Sequence, residues 1–568
     1  MTDVPFPLLN APGRQPQAAG GKLINCYPET LPATAGKPYA YWRTAGMRPW
    51  GTSPGANYRG ALLVGNLIYA VIDNTVYQFP ATGGAGVPMT GAIPGTAPVT
   101  MARNLKATPD IVIVAPGDGA FIAPATGVVQ YPGTTIGQPN AVCYIASVFI
   151  FSYGDGSTSA SDPSSLNVNA LNFATAESKP DTLFRPVPLG TGQLLLCGSN
   201  SIEVWGGEND TGYIFSYSST INRGIVGPAA IAGQDDGFGK GIFFVGDDFK
   251  VSTLNGYTAT PISVPDLDLL IEAEPDKSQI TVSVYVAQGH GMVVVQGPQW
   301  CWEYDTTLQS WHQRQSYLQQ YWRGQFPIWA FGTWYCGDLK SGNVFAIDGK
   351  TSTEGGLQDV STLTMTGAPT GGTFALSYNL STTIALAFNA TAAQIQTALQ
   401  AIGANVVVSG ALPTITIAFV ADGPQSAITA TGNLTGGAGP AVAVAHSTTG
   451  IAGDPLLITI ETGPLGAFPN KVRIDGIELY LTKGVGIATG LDPLQTDPDV
   501  SISISRDGGQ TWSNPRIVKI GRQALTDGRV RAAIWGQAQN QGVRWRLRES
   551  APLSFAFMGA DMQADQLR

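Results

Sequence analysis

The stretch ALLVGNLIYAVIDNTVYQF, Ala61–Phe79, carries the fold in miniature. Three apolar runs, Ala61–Val64, Leu67–Ile72 and Thr75–Phe79, are separated only by Gly65-Asn66 and Asp73-Asn74. Gly, Asn and Asp accept the positive φ of tight hairpin turns, so the runs are predicted to be three antiparallel strands of one meander. Runs this short, rich in β-branched and aromatic side chains, are strands rather than helices.

Similar units recur outward from it. Ile111–Val114, Gly119–Ala123 and Val128–Tyr131 form one; Val148–Ser152, Gln193–Cys197 and Ser201–Trp205 continue the pattern. Gly241–Val245 is expected to pair with Phe249–Leu254. Ser283–Ala287, Met292–Gln296 and Cys301–Tyr304 follow, then Ile328–Gly332, Thr333–Gly337 and Asn343–Ile347. Units of three or four short strands at intervals of roughly 40–60 residues fit a β-propeller of six or seven blades. A large array of β-sandwiches is the alternative.

Composition agrees with a folded, turn-rich chain. Its 568 residues include 70 Gly and 39 Pro, with 43% hydrophobic and 9% aromatic residues, so two to four domains with sizeable cores are expected. Charged residues are only 12% of the chain, about half the usual share. Such a surface suits either a subunit that buries much of its exterior against neighbours or a secreted or viral surface rich in Ser, Thr and Asn. The net charge of −9 argues against a protein that grips phosphate, though not against a channel through which DNA passes unheld. Five scattered cysteines without CxxC spacing read as buried free thiols, and three histidines are too few for zinc centres or His-based triads. No secretory signal and no apolar run long enough to span a bilayer is present, so a soluble chain without a membrane segment is expected.

Helix is scarce. Pro265–Ala273 (PDLDLLIEA) places Pro near the first helical position and acids in the first turn. Thr391–Ile402 puts Ile395, Leu399 and Ile402 on one stripe, with Asn389 as the expected cap and Gly403 as the stop. That helix lies in a nearly uncharged Thr/Ala/Gly-rich island. The expected fold is therefore mainly β: a β-propeller-like body, an inserted small α+β domain and a β-rich C-terminal region. The expected divisions are an arm at 1–58, blades at 59–356, the insert at 357–450 and the C-terminal region at 451–568.

Motifs for chemistry are weak. Ser505-Arg506-Asp507-Gly508-Gly509-Gln510-Thr511-Trp512 matches the Asp-box of sialidases, a structural turn in which Asp507 bonds turn N–H groups, Gly508 and Gly509 allow positive φ, and Trp512 packs on a neighbouring strand. Phe184-Arg185-Pro186-Val187-Pro188 only approximates the arginine segment a sialidase needs and reads as a loop. Asp235-Asp236 and Asp247-Asp248 lack calcium-loop spacing and read as solvated turns. No catalytic, cofactor or metal residue is assigned. Arg544, Arg546 and Arg548 alternate along a strand and share one face, which reads as a subunit contact or a DNA-facing surface.

Several phrases in order along the chain resemble the packaged-DNA stabilisation proteins that form the tail hub, or nozzle, of short-tailed bacteriophages. The first contains Asn25, Tyr27, Pro28 and Glu29, followed by Tyr41-Trp42-Arg43-Thr44-Ala45-Gly46. Ser201–Trp205, Arg223–Pro228, Gly289-His290-Gly291, Trp302–Asp305, Trp311–Arg314, Gly337-Asp338 and the Asp-box continue the series. The resemblance implies a non-enzymatic virion component, assembled in the host cytoplasm as a homo-oligomeric ring of six. It implies as partners a portal adaptor, a plug or needle, fibres or spikes, and double-stranded DNA passing through the lumen without sequence recognition. The alternative function is a glycan-active β-propeller, either a sialidase-like hydrolase or a lectin-like receptor-binding tail protein.

Overall fold

Gly65 and Asp73 take φ of 60° and 50°, and the hairpins predicted there form. In the computed structural model, Tyr58–Val64, Leu67–Ile72 and Thr75–Pro80 pair in sequence order, with Ala61 opposite Ala70 and Ile68 opposite Phe79. The structure describes residues 2–133, 135–176, 178–207, 213–466, 471–487, 492–538 and 542–567. Two units divide it: Pro49–Ile347, and Met1–Arg48 together with Asp348–Arg568.

The Pro49–Ile347 unit repeats the meander. After the first sheet come four-stranded sheets spanning Thr100–Gln130, Ala141–Thr175, Leu183–Ile221 and Ile231–Pro261, then four strands of a larger sheet spanning Thr281–Gln313, each set in chain order. Gly324–Ala330, Thr333–Asp338 and Val344–Asp348 form a seventh. Apolar clusters join consecutive sheets: Val71 and Val76 pack with Ile111 and Ile113, and Val112 and Val114 with Phe149 and Phe151. Cys143 and Ile150 pack with Leu194 and Leu196, and Val187 and Leu195 with Ile231 and Phe244. One further cluster unites Tyr58, Ile68 and Phe79 of the first sheet with Ala330, Tyr335 and Val344 of the seventh. The blades therefore close on themselves, as a propeller must to bury both faces of every sheet. The strand Gly46–Thr52, of which Pro49–Thr52 lies in this unit, hydrogen-bonds beside Val344–Asp348 and completes the last blade.

Helix α1 is Pro265–Ala273, as the sequence predicts, with Leu267 and Ile271 buried. Phe184–Pro188, expected as a loop, belongs instead to the strand Leu183–Pro188 that opens the fourth blade. It has a strand neighbour on one side only, where proline's missing N–H leaves no ladder bond unmade.

The other unit contains a β-sandwich. One sheet runs Cys26–Thr30, Tyr39–Arg43, Ala556–Leu567, Lys471–Leu481, Val530–Ala538, with Thr2–Val4 also on Ala556–Leu567. The facing strands in this unit are Gly21–Ile24, Ile458–Thr462, Arg544–Glu549, Asp499–Ser505 and Arg516–Lys519. Val472, Ile474, Leu479, Ile502, Ile504 and Leu547 fill the space between, and Trp535 meets Trp545 edge to face at 5.3 Å.

Gln358–Thr448 has a core of its own. The strands Val406–Ala411, Thr414–Asp422, Gln358–Thr366 and Ala441–Thr448 make one sheet; Gly371–Tyr378 is the centre of a second. Helix α2, Ala392–Ala401, buries Ile395, Ala398 and Leu399 there. Its cap is Thr391, not Asn389: the Thr391 hydroxyl accepts from the Gln394 N–H while the Gln394 side chain accepts from the Thr391 N–H. A hydroxyl three residues before an amide side chain makes this reciprocal box, which an asparagine two positions earlier cannot reach.

Candidate functional site

Asn25 sits where the chain leaves one sandwich sheet, Gly21–Ile24, for the other, Cys26–Thr30. It takes φ 55°, which Asn tolerates, and its side-chain amide donates to the Leu457 carbonyl at 3.0 Å. Tyr27 and Pro28 continue as buried strand residues, and Glu29 is half-buried. Arg43, opposite Cys26, is buried and donates to Glu549 and to the Ala551 carbonyl at 2.8 Å. This segment is a corner of the sandwich.

The Asp-box forms the turn after Asp499–Ser505. Asp507 accepts from the Gln510 N–H at 3.0 Å, the Thr511 N–H at 3.0 Å and the Thr511 hydroxyl at 2.5 Å, and Ser505 donates to it at 2.7 Å. Burial alone would raise this carboxyl; the hydrogen bonds from Thr511, Ser505 and Gln510 reverse that and bring it to about 2. Gly508 and Gly509 take φ of 75° and 104°. Trp512 lies under the Arg546 guanidinium at 3.8 Å and near that of Arg544 at 5.9 Å.

The three alternating arginines have different surroundings. Arg544 is buried and donates to the carbonyls of Thr462 at 2.8 Å and Pro16 at 2.9 Å. Arg546 pairs with Glu461 at 2.6 Å, and Arg548 is exposed.

The two acidic pairs have local partners. Asp247 and Asp248, expected to be solvated, are half-buried and lie 3.8 and 3.2 Å from Arg223. Asp235 accepts from the Gly233 N–H at 3.0 Å, and burial raises its carboxyl. All five cysteines are buried thiols rather than disulfides. Among the described residues no group of three His, Cys, Asp or Glu could hold a metal, and no helix is long and apolar enough to cross a membrane.

The sixth blade's interior gathers ionisable side chains whose mutual partnerships the sequence reading does not anticipate. There the Glu303 carboxylate, fully buried, accepts from Tyr285 Oη at 2.9 Å and lies 2.9 Å from His312 Nε2. His290 Nδ1 lies 2.7 Å from buried Asp305, and Arg314 is buried over the Trp322 ring. Burial would raise Glu303, but Arg314, His312 and Tyr285 outweigh it and hold the carboxyl below its ordinary value. The alternation Trp302-Glu303-Tyr304-Asp305 carried the only signal, since both acids fall on one side of a strand otherwise buried and aromatic.

Comparison with known proteins gives two family matches. The family described as Bacteriophage P22 Gp10, beta-propeller matches residues 22–352, and that described as Bacteriophage P22 Gp10, beta-sandwich matches residues 465–563. No curated protein sequence matches. Similar solved structures, each 12% identical, include YCF48 bound to D1 peptide (TM-score 0.34; 54% of this chain, 97% of that one) and the WD40 beta propeller domain of Doa1 (0.35; 53% and 96%). PorZ of Porphyromonas gingivalis is a third (0.32; 53% of this chain), and the match spans 37% of its length. With one match running through the whole ring of blades, over more than half of the chain, and a second through the sandwich, the chain belongs to the bacteriophage P22 Gp10 family of packaged-DNA stabilisation proteins, structural components of the phage tail.

Proposed function

We propose that the chain is one subunit of a six-membered tail-hub ring that closes the portal channel after packaging and opens as a conduit on ejection. The observation that carries this reading is the pair of family matches, on the propeller and on the sandwich. The physical character of the chain supports it. A closed circle of blades cross-linked by apolar clusters is stiff, as a pressure-bearing wall requires. With charged residues at 12% of the chain, much of its surface can be covered by neighbours at little desolvation cost. The role is mechanical. Its partners are sister copies, a portal adaptor, a plug or needle, and fibres or spikes, and DNA crosses the lumen without sequence recognition. Assembly takes place in the host cytoplasm.

Particles produced without this chain provide the test. They should package DNA and then lose it, so that head-associated DNA becomes sensitive to added nuclease, and complementation should restore protection. Particles lacking the chain that keep their DNA protected would overturn the reading. Native mass measurement of purified tails should count six copies.

A further inference from the structure

One face of the sandwich carries unbalanced charge. Register sets Lys22 opposite Glu461 and Glu461 opposite Arg546. Two residues along, Arg548 lies opposite Ser501, and Ser501 opposite Ile517. Strand alternation puts Arg544, Arg546, Arg548, Ile517 and Lys519 on that same face. Glu461 pairs with Arg546 at 2.6 Å and Arg544 at 3.4 Å, and Lys22 and Arg548 lie within reach of the same charge without pairing with it. Arg548 is exposed and has no ion pair among the described residues, while Lys519 is shared between Asp499 at 3.0 Å and Asp497 at 3.8 Å. Burial, and then the neighbouring arginines, push the Lys22 ammonium below its ordinary value. Amid these cations Ile517 is 66% exposed.

An aliphatic side chain ringed by surplus cations suits a protein surface bearing carboxylates better than a phosphate backbone, which offers nothing for the isoleucine to pack on. The complementary charge exists on this chain. Helix α1 and the turn after it carry Asp266, Asp268, Glu272, Glu274 and Asp276 against Lys277 alone. The Lys277 ammonium donates to the carbonyls of Glu272 at 3.2 Å and Glu274 at 2.9 Å, not to their carboxylates. Asp266, Glu272 and Glu274 have no ion pair among the described residues, and Glu272 is exposed. In a closed ring of identical subunits every contact joins two different faces of the chain, so a cationic face needs an anionic one on the same molecule.

We propose that the Arg546–Arg548–Lys519 face seats against the acidic C-terminal end of helix α1, around Glu272 and Glu274, in a second copy of this chain. This rests on the ring reading above. The test uses tail particles assembled with full-length variants and counts incorporated copies by native mass. Arg548→Glu and Glu272→Arg should each cut ring incorporation at least tenfold. Arg548→Glu combined with Glu272→Arg should recover most of it, while purified single variants melt at the wild-type temperature. Incorporation unaffected by either reversal, or a double variant no better than the singles, would overturn the contact while leaving the ring intact. A wild-type chain present in tails as single copies would instead sink the ring reading. Loss of binding to a short DNA duplex in Arg548→Glu, with incorporation unchanged, would show that the face meets phosphate and would equally overturn the proposal.

Discussion

Gly337, in the seventh blade, shows how a single atom guards the closure of the propeller. A Cβ at that position would lie 1.9 Å from the ring of Tyr58 in the first blade, a side chain that is itself fully buried and has nowhere to move. Gly337→Ala should therefore destabilise the Pro49–Ile347 unit by roughly 1–3 kcal/mol or more, read as a lowered denaturation midpoint with unchanged slope. Asp507 makes a prediction of a different kind. Its folded carboxyl lies near 2 against 3.8 for the free group, so the unfolded chain takes up the proton first as pH falls. The stability that Asp507 contributes is fully present above about pH 4 and drains away between about pH 4 and 2. Asp507→Asn should flatten the pH dependence of the sandwich midpoint in that window and lower the midpoint at neutral pH; an unchanged profile would mean the turn bonds contribute nothing to folding.

At the scale of elements, what was legible in the sequence was local. The hairpins around Gly65 and Asp73 could be read because their backbone needs φ of 60° and 50°, which few residue types accept. Helix α1 announced itself through Pro265 and two first-turn acids. The Asp-box bonds could be written down from the side chains alone, because all of them close within four residues. Partnerships across long separations left no such mark. Nothing in Tyr39–Arg43 says that its neighbour is Ala556–Leu567, or that the strand completing the last blade precedes the first. The strand Leu183–Pro188 was hidden because its prolines read as loop formers. Helix α2 shows a finer limit: Asn389 and Thr391 are both capping residue types, and only the placement of Gln394 decides between them. Thr391→Ala should cost about 0.5–2 kcal/mol of helix stability and speed amide exchange over Ala392–Ala401, whereas Asn389→Ala should leave both unchanged.

For the whole molecule, the way the chain is threaded predicts which segments can be removed. Leu357 and Ile451, at the two ends of the accessory body, exchange both backbone hydrogen bonds at 2.9 Å, so 93 intervening residues leave and re-enter at one point. The accessory core, with Leu363, Leu376, Ile395 and Phe419, is made entirely of residues within that excursion. Arg48, which loses Asp422 on excision, keeps Asp348 at 2.6 Å. Replacing residues 358–450 by a two-residue turn should thus give a chain that still unfolds cooperatively, with its sandwich and blades protected in amide exchange. The N-terminal segment is bound to the fold in the opposite manner. Residues 2–48 supply Gly21–Ile24 to one sandwich sheet and Cys26–Thr30, Tyr39–Arg43 and Thr2–Val4 to the other, and the Arg43 guanidinium meets the buried Glu549 carboxylate. Deleting them strips strands from both layers and leaves a buried acid without its cation, a loss worth about 3–5 kcal/mol by itself. That truncated chain should be insoluble or molten, while the far larger internal excision is not. If the two deletions behaved alike, the sandwich would not depend on strands drawn from opposite ends of the sequence.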